Sequence, residues 1–265
     1  MRPVAEIDQA RAKQLIGIFC DIDDTLTWDG RIVPEAFAAL GEAQMSGLRI
    51  IPITGRPGGW VDHIARMWPV DGVVGENGGL WFFMNEQGLQ RRFLQQPEER
   101  QDNRQRLREL ASQILTGVPG TALASDQSYR DLDLAIDFCE DVDPLDDLAI
   151  DEIVQRFRAA GATAKVSSIH VNGWYGDFDK LTGCRRIVQD LYGEELDPTA
   201  WAYFGDSAND EPMFRFFDMS IGVANVRRFL DRMSHHPTWV TDGPGGHGFA
   251  EGVKHLLAMR QSPDA

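Results

Sequence analysis

Asp21 and Asp23 stand two residues apart at the end of an apolar run, residues 15–20 (LIGIFC), and Asp24 and Thr25 follow. A run of that length suits one buried strand. On an extended backbone, residues i and i+2 face the same way, so both carboxylates project from one face at the strand's C-terminal end. Paired carboxylates repel each other and lose hydration, which does not stabilise a fold. A divalent cation, or a proton shared with a substrate, offsets that cost. A polar turn closing the strand is the common use of an isolated pair. The chemical reading is a magnesium-dependent phosphoryl-transfer site with Asp21 as nucleophile.

Two other apolar runs end in polar clusters. Residues 48–54 (LRIIPIT) lead into Thr54, Gly55 and Arg56; residues 201–205 (WAYFG) lead into Asp206, Ser207, Asn209 and Asp210. Ligands of open parallel sheets sit beyond the carboxyl ends of the strands, so neighbouring strands would bring these clusters to one point. The four carboxylates of Asp21, Asp23, Asp206 and Asp210 are hard oxygen donors, suited to magnesium and not to zinc. Gly55 and Gly205 allow close backbone approach, Thr54 and Asn209 can hydrogen-bond phosphoryl oxygens, and Lys180 offers a positive charge at a helix start. Phosphoryl transfer mostly needs positioning and charge neutralisation, and this set supplies both. Arg56 either binds substrate or pairs with a carboxylate. Asn77 either lines the cleft or forms the turn before Gly78.

The elements that must position these residues alternate. Strands at 15–20, 48–54 and 71–75 are separated by helices, which reads as a parallel α/β sheet. Trp28-Asp29-Gly30-Arg31 marks a small hairpin flap over the first strand. After Gly79 the pattern changes to an antiparallel hairpin (80–83 and 89–94), a polar helix at 97–116, a strand at 130–138, a helix from 143–144 to 160 and a strand at 162–168. Strict alternation at 130–138 predicts a half-exposed strand, with Asp131, Asp133 and Asp137 on the wet face. The α/β pattern resumes with a helix at 178–191, strands at 201–205, 219–223 and 238–241, a helix at 226–233, a final helix from 249 and a frayed tail from 261. The organisation is therefore α/β, with core segments 1–83 and 171–265 and an α+β insert at 84–170. Arg130, His170 and Asn172 fall near insert strand ends, where each reads first as solvated surface and second as a contact to substrate.

The 265-residue chain has a formal charge of −15. That charge argues against non-specific nucleic-acid binding and against anionic lipid. Cys20, Cys139 and Cys184 are too few and too scattered for a disulfide framework or a zinc site. No run approaches a membrane span, and the polar start lacks an apolar leader, so a cytoplasmic setting is expected. Oligomeric state stays open.

Taken in order, DIDDT, the run ending in Thr54, Lys180 and GDSAND resemble the four signature motifs of the haloacid dehalogenase superfamily of phosphatases. The insert resembles the type IIB cap of the sucrose-phosphate, trehalose-phosphate and mannosyl-phosphoglycerate phosphatase group, and GENGG at 75–79 resembles that group's Asn-Gly signature. The resemblance covers essentially the whole chain. It implies a Rossmann-like parallel core with a cap, magnesium as cofactor and a small phosphorylated metabolite, a sugar phosphate first, as substrate. It implies Asp21 as nucleophile forming an aspartyl-phosphate and Asp23 as acid, then base. It implies magnesium held by the Asp21 side chain, the Asp23 carbonyl and Asp206, with Asp210 either a direct ligand as well or just behind the ligands. Thr54 and Lys180 would grip the phosphoryl group, Asn209 would contact phosphate or orient Asp210, Thr25 would hold the loop, and Ser207 is a further contact. Phosphomannomutases share this core and cap, so a phosphomutase is the enzymatic alternative. A receiver domain phosphorylated on aspartate is the alternative from another class.

Overall fold

In the computed structural model, which describes residues 1–167 and 169–262, the central strand is Gly17–Asp21, buried along its whole length. Its residues alternate between two apolar clusters, Ile18 and Cys20 in one, Phe19 in the other. A strand can be apolar on both faces only where helices cover both, and this is the condition that favours a parallel sheet. The first cluster packs under the helices Pro34–Met45 and Gly245–Gln261, the second under Lys180–Tyr192 and Glu211–Phe216.

The main sheet has nine strands in the order Arg2–Pro3, Trp239–Val240, Met219–Gly222, Trp201–Gly205, Gly17–Asp21, Arg49–Ile53, Val73–Gly75, Leu80–Asn85, Gly88–Phe93. The first seven run parallel; Leu80–Asn85 is antiparallel to Val73–Gly75, and Gly88–Phe93 is antiparallel to Leu80–Asn85. Gly17–Asp21 lies between Trp201–Gly205 and Arg49–Ile53, where the strand order reverses. That is the crevice in which open α/β sheets bind ligands.

A second, four-stranded antiparallel sheet has the order Thr163–Val166, His170–Trp174, Asp133–Asp137, Ala122–Leu123. Helices Pro97–Gly117 and Asp147–Ala159 cover one face, burying Leu107 and Ile114 with Leu134, Ile136, Ile153 and Phe157. The other face looks towards the end of the main sheet. All five residues of Asp133–Asp137 are buried, so the expected wet face is dry at Asp133 and Asp137, while Asp131, before the strand, stays partly exposed. Its aspartates stay inside because each finds donors: Asp133 faces Arg130 and Asn172, and Asp137 accepts three backbone N–H groups of the following loop.

Other elements differ from the sequence pattern in position. Gly88–Phe93 belongs to the main sheet, so the expected passage to the insert at 84 falls inside a core hairpin, and the first element packed on the small sheet is Pro97–Gly117. The polar N-terminus adds Arg2–Pro3 to the sheet edge and a short helix, Gln9–Gln14. The helix expected from 143–144 begins at Asp147, because Asp146 caps it by accepting the Ala149 N–H. The one expected at 226–233 is a 3-10 stretch, Ala224–Arg232. The flap forms as expected, Thr27–Trp28 against Arg31–Ile32. The strand expected to reach Ser168 spans Thr163–Val166, and Ser168 lies outside the described residues. The last helix continues to Gln261, and the end of the expected tail, 263–265, also lies outside them. Among the described residues, no helix is long and apolar enough to cross a membrane.

Candidate active site

Three adjacent strands deliver the three polar clusters to one place. Past Asp21 the chain turns sharply: the Ile22 carbonyl accepts the N–H groups of Thr25, Leu26 and Thr27, and Asp24 sits at φ 56. This turn lifts Asp23 beside Asp21 at the rim. From the next element, Asp179 caps the helix Lys180–Tyr192 by accepting the Thr182 N–H, which fixes Lys180 in its first turn. The turn at 76–78 lies directly against that helix start. Gly78 has φ 104, and a Cβ there would fall 1.9 Å from the Asp179 carbonyl oxygen. A Cβ on Gly183 would fall 2.7 Å from the Cα of Gly78. Two glycines therefore bring the lysine helix close enough for its ammonium to reach the strand end.

There Lys180 Nζ donates to Asp21 Oδ2 and to Asp210 Oδ1, both at 2.8 Å. Asp210 is saturated: Tyr203 Oη also donates to Oδ1 at 2.6 Å, and the Asp206 and Ser207 N–H groups donate to Oδ2. Asp206 is poorly satisfied, with Thr25 Oγ1 and Asn225 Nδ2 each 3.4 Å away. One oxygen from each of Asp21, Asp206 and Asp210 lies within 4.8 Å of the others. Burial pushes the Asp21 carboxyl up to about 7, with Lys180 pulling against it. Burial raises Asp206 as well, reinforced by the charges of Asp210 and Asp21. Burial would lower the Lys180 ammonium, but Asp21 and Asp210 outweigh it and hold its pKa up. Three buried carboxylates facing one ammonium leave excess negative charge, and all the donors are oxygens. This is the environment that a hard divalent cation fits.

Asp21, Asp23, Gly55, Arg56, Asn77, Lys180, Asp206, Ser207 and Asn209 line one small cavity, closed from above by Arg130, Ser167, Ile169, His170 and Asn172. Thr54 and Thr25 are fully buried and stand behind that lining. The Thr54 hydroxyl accepts the Arg56 N–H at 2.9 Å and so shapes the loop. Ser207 donates to Asn209 at 3.2 Å and caps the turn at Ala208–Asp210. Asn77 is buried at φ 55, and its Nδ2 has no hydrogen-bond partner among the described residues. Arg56 takes the pairing option: it donates to both Asp23 oxygens at 3.0–3.1 Å and to Glu140 at 2.9 Å.

The solvated-surface readings of Arg130, His170 and Asn172 are overturned. They are 6%, 2% and 4% exposed. Arg130 is enclosed by Asp126 and Asp133 and donates to the Gly55 carbonyl at 2.8 Å, tying the insert to the core. His170 Nε2 lies 2.9 Å from Glu140, and Asn172 donates to Asp133 at 2.9 Å. Sequence reasoning also missed Glu76, Tyr203, Asn225 and Glu140. Glu76 is buried at φ 45 and accepts backbone N–H groups from Gly58, Asp131, Leu132 and Asp133. Burial and the Asp133 charge push it up to about 8, against those donors. Asn225 was findable, because it follows another strand of the same sheet at the same end.

The sequence pattern of the haloacid dehalogenase-like hydrolases matches residues 18–109. Those residues carry DIDDT, Thr54-Gly55-Arg56 and GENGG. The fold, the ordered motifs and this match make the chain similar to the haloacid dehalogenase-like hydrolases, with a Rossmann-like parallel core and an α+β cap. A phosphoglycolate phosphatase of Haloarcula marismortui is 27% identical over 257 residues, 89% of this chain and 95% of that protein. Among solved structures, a Thermoplasma acidophilum protein superimposes with a TM-score of 0.72 at 19% identity, covering 92% of this chain and 99% of that one. The sucrose-phosphatase of Synechocystis, solved with sucrose and phosphate, gives 0.65 at 16% identity, covering 92% and 98%. Both structural likenesses show the fold.

Proposed function

We propose that this enzyme is a magnesium-dependent phosphatase that hydrolyses a small phosphorylated metabolite through an aspartyl-phosphate on Asp21. The observation that carries the reading is the Asp21–Lys180–Asp210 network beside Asp206, set at the strand ends next to Asp23 and beneath a closed insert. Asp21, the Asp23 carbonyl and Asp206 would hold the ion, with Asp210 behind them keeping Lys180 and the loop in place. When bound, magnesium supplies charge neutralisation for the phosphoryl oxygens.

The chain's own residues do the rest. An Asp21 oxygen attacks phosphorus as the bond to the leaving oxygen breaks, and Asp23 gives that oxygen its proton. Asp23 then takes a proton from water, whose oxygen attacks phosphorus and frees Asp21 and phosphate. Lys180 balances the charge of Asp21 and of the phosphoryl group. The unpaired amide of Asn77, Asn209 and the Ser207 region offer donors to phosphoryl oxygens. Thr54 contributes by fixing the Arg56 loop. The insert excludes water from the reacting centre and selects the leaving group.

Sugar phosphates, named for the Synechocystis protein, and phosphoglycolate, named for the Haloarcula relative, are the first substrates to test. A cytoplasmic setting belongs to this proposal. The test is a phosphate-release screen over phosphorylated sugars, glycerates and glycolate, with magnesium and with chelator. Release should require magnesium and fall at least about 10³-fold in Asp21→Asn. A folded, magnesium-supplied enzyme that releases phosphate from none of them, or an active Asp21→Asn, sinks the proposal.

A further inference from the structure

The cleft carries a second charged feature that phosphoryl transfer does not use. The Glu140 carboxylate is seated between a guanidinium and an imidazole: Arg56 Nη2 donates to Oε1 at 2.9 Å, and His170 Nε2 lies 2.9 Å from Oε2, at ion-pair distance but off the hydrogen-bond direction. Arg56 and His170 are buried and line the same cavity as Asp21. Glu140 approaches from outside that lining, with its side chain 27% exposed. Its loop is firmly placed, because Asp137 accepts the N–H groups of Cys139, Glu140 and Asp141 at 2.8–2.9 Å. His170 first, and then Arg56, hold the Glu140 carboxyl down at about 2. The pair therefore has a strong preference for a carboxylate over a carboxylic acid.

We propose that Arg56 and His170 form a receptor for a second anionic group on the substrate, a carboxylate, and that Glu140 is the chain's own occupant of that receptor. The inference rests on the phosphatase reading and narrows its substrate to short phosphorylated hydroxy acids. Arg56 supplies the spacing. It contacts Asp23, the group placed to protonate the leaving oxygen, so an anion on Arg56 lies within a few bonds of that oxygen. Arg56 also links the receptor to catalysis. In this arrangement it engages both Asp23 oxygens, and a carboxyl that carries a proton needs one of them free. A substrate carboxylate drawing on Arg56 would release that oxygen as the Glu140 side chain rotates out on its fixed loop.

Matched esters isolate the carboxylate: 3-phosphoglycerate against glycerol 3-phosphate, and 2-phosphoglycolate against ethylene glycol monophosphate. Binding is read by calorimetry on Asp21→Asn with magnesium, and phosphate release on the wild type. The acid of each pair should bind about tenfold tighter or more. Glu140→Gln, made at a partly exposed side chain, should raise that preference by removing the competing charge, while His170→Phe should cut it severalfold. Equal binding within each pair, or a preference unmoved by Glu140→Gln, overturns the receptor, and phosphate release from both esters then leaves the phosphatase reading intact. Failure of every ester to bind also overturns it. A carboxylate preference in binding with no phosphate release by the wild type supports the receptor and removes the phosphatase reading instead.

Discussion

Lys180→Met removes the cation that two buried carboxylates share while keeping most of the apolar stem. Both partners are hydrogen-bonded at 2.8 Å, and all three side chains are at least nine-tenths buried. Breaking a buried pair from one side costs about 3–5 kcal/mol, because the remaining charge is left uncompensated. With an m-value of about 3 kcal/mol/M for urea, the midpoint should fall by about 1–1.7 M at pH 8 in chelator. The pH dependence follows from Asp21. Its carboxyl sits at about 7 in the fold against 3.8 ordinarily, so between those values the native state binds more protons than the unfolded state. Without a divalent cation, that group's stability contribution is therefore full below pH 3.8 and lost as pH rises through 7, by at most about 1.4 kcal/mol per pH unit. Losing Lys180 pushes the Asp21 carboxyl higher still and carries the loss on to higher pH, so the variant's deficit should shrink at pH 5, and magnesium should recover part of it at pH 8. The assay is urea unfolding followed by tryptophan fluorescence, with and without magnesium, at both pH values. A variant whose midpoint matches wild type at pH 8 in chelator, or whose deficit is no smaller at pH 5, refutes this account of the site's charge balance.

Gly78→Ala should lower stability by about 3 kcal/mol or more and abolish phosphate release, since the new Cβ meets the Asp179 carbonyl and pushes Lys180 away from Asp21. Urea melts together with a phosphate assay check it; a stable, active variant would be incompatible with the packing described. Glu76→Ala leaves four backbone N–H groups without their acceptor, so hydrogen exchange at residues 131–133 should accelerate about 10–100-fold, read by mass spectrometry. Glu140, held at about 2 against an ordinary 4.5, contributes stability that is full above pH 4.5 and lost as pH falls through 2. The melting curves of wild type and Glu140→Gln should therefore differ at pH 6 and converge near pH 2, by less than about 1 kcal/mol because the side chain is partly exposed.

What the sequence determined by itself is the parallel core and the strand ends that carry Asp21, Thr54 and Asp206. Those features are local: apolar runs of strand length, terminated by glycine and polar clusters, read the same in any surroundings. It also located Lys180, because a helix start is a local signal. It misread the polar half of the insert. Asp133 and Asp137 alternate with apolar residues as wet positions do, and their burial follows from donors 2 to 39 residues away, Arg130 and Asn172 among them. Arg130, His170 and Asn172 carry no local sign that a second layer will cover them. The Arg56–Glu140 contact joins positions 84 residues apart, across the join of core and insert. Only the tertiary structure could decide such pairings, because the field at a buried charge is set by whichever elements close over it. Asp21 was legible as a costly carboxylate from its neighbours in sequence; its partner Lys180, 159 residues on, is what the fold supplied.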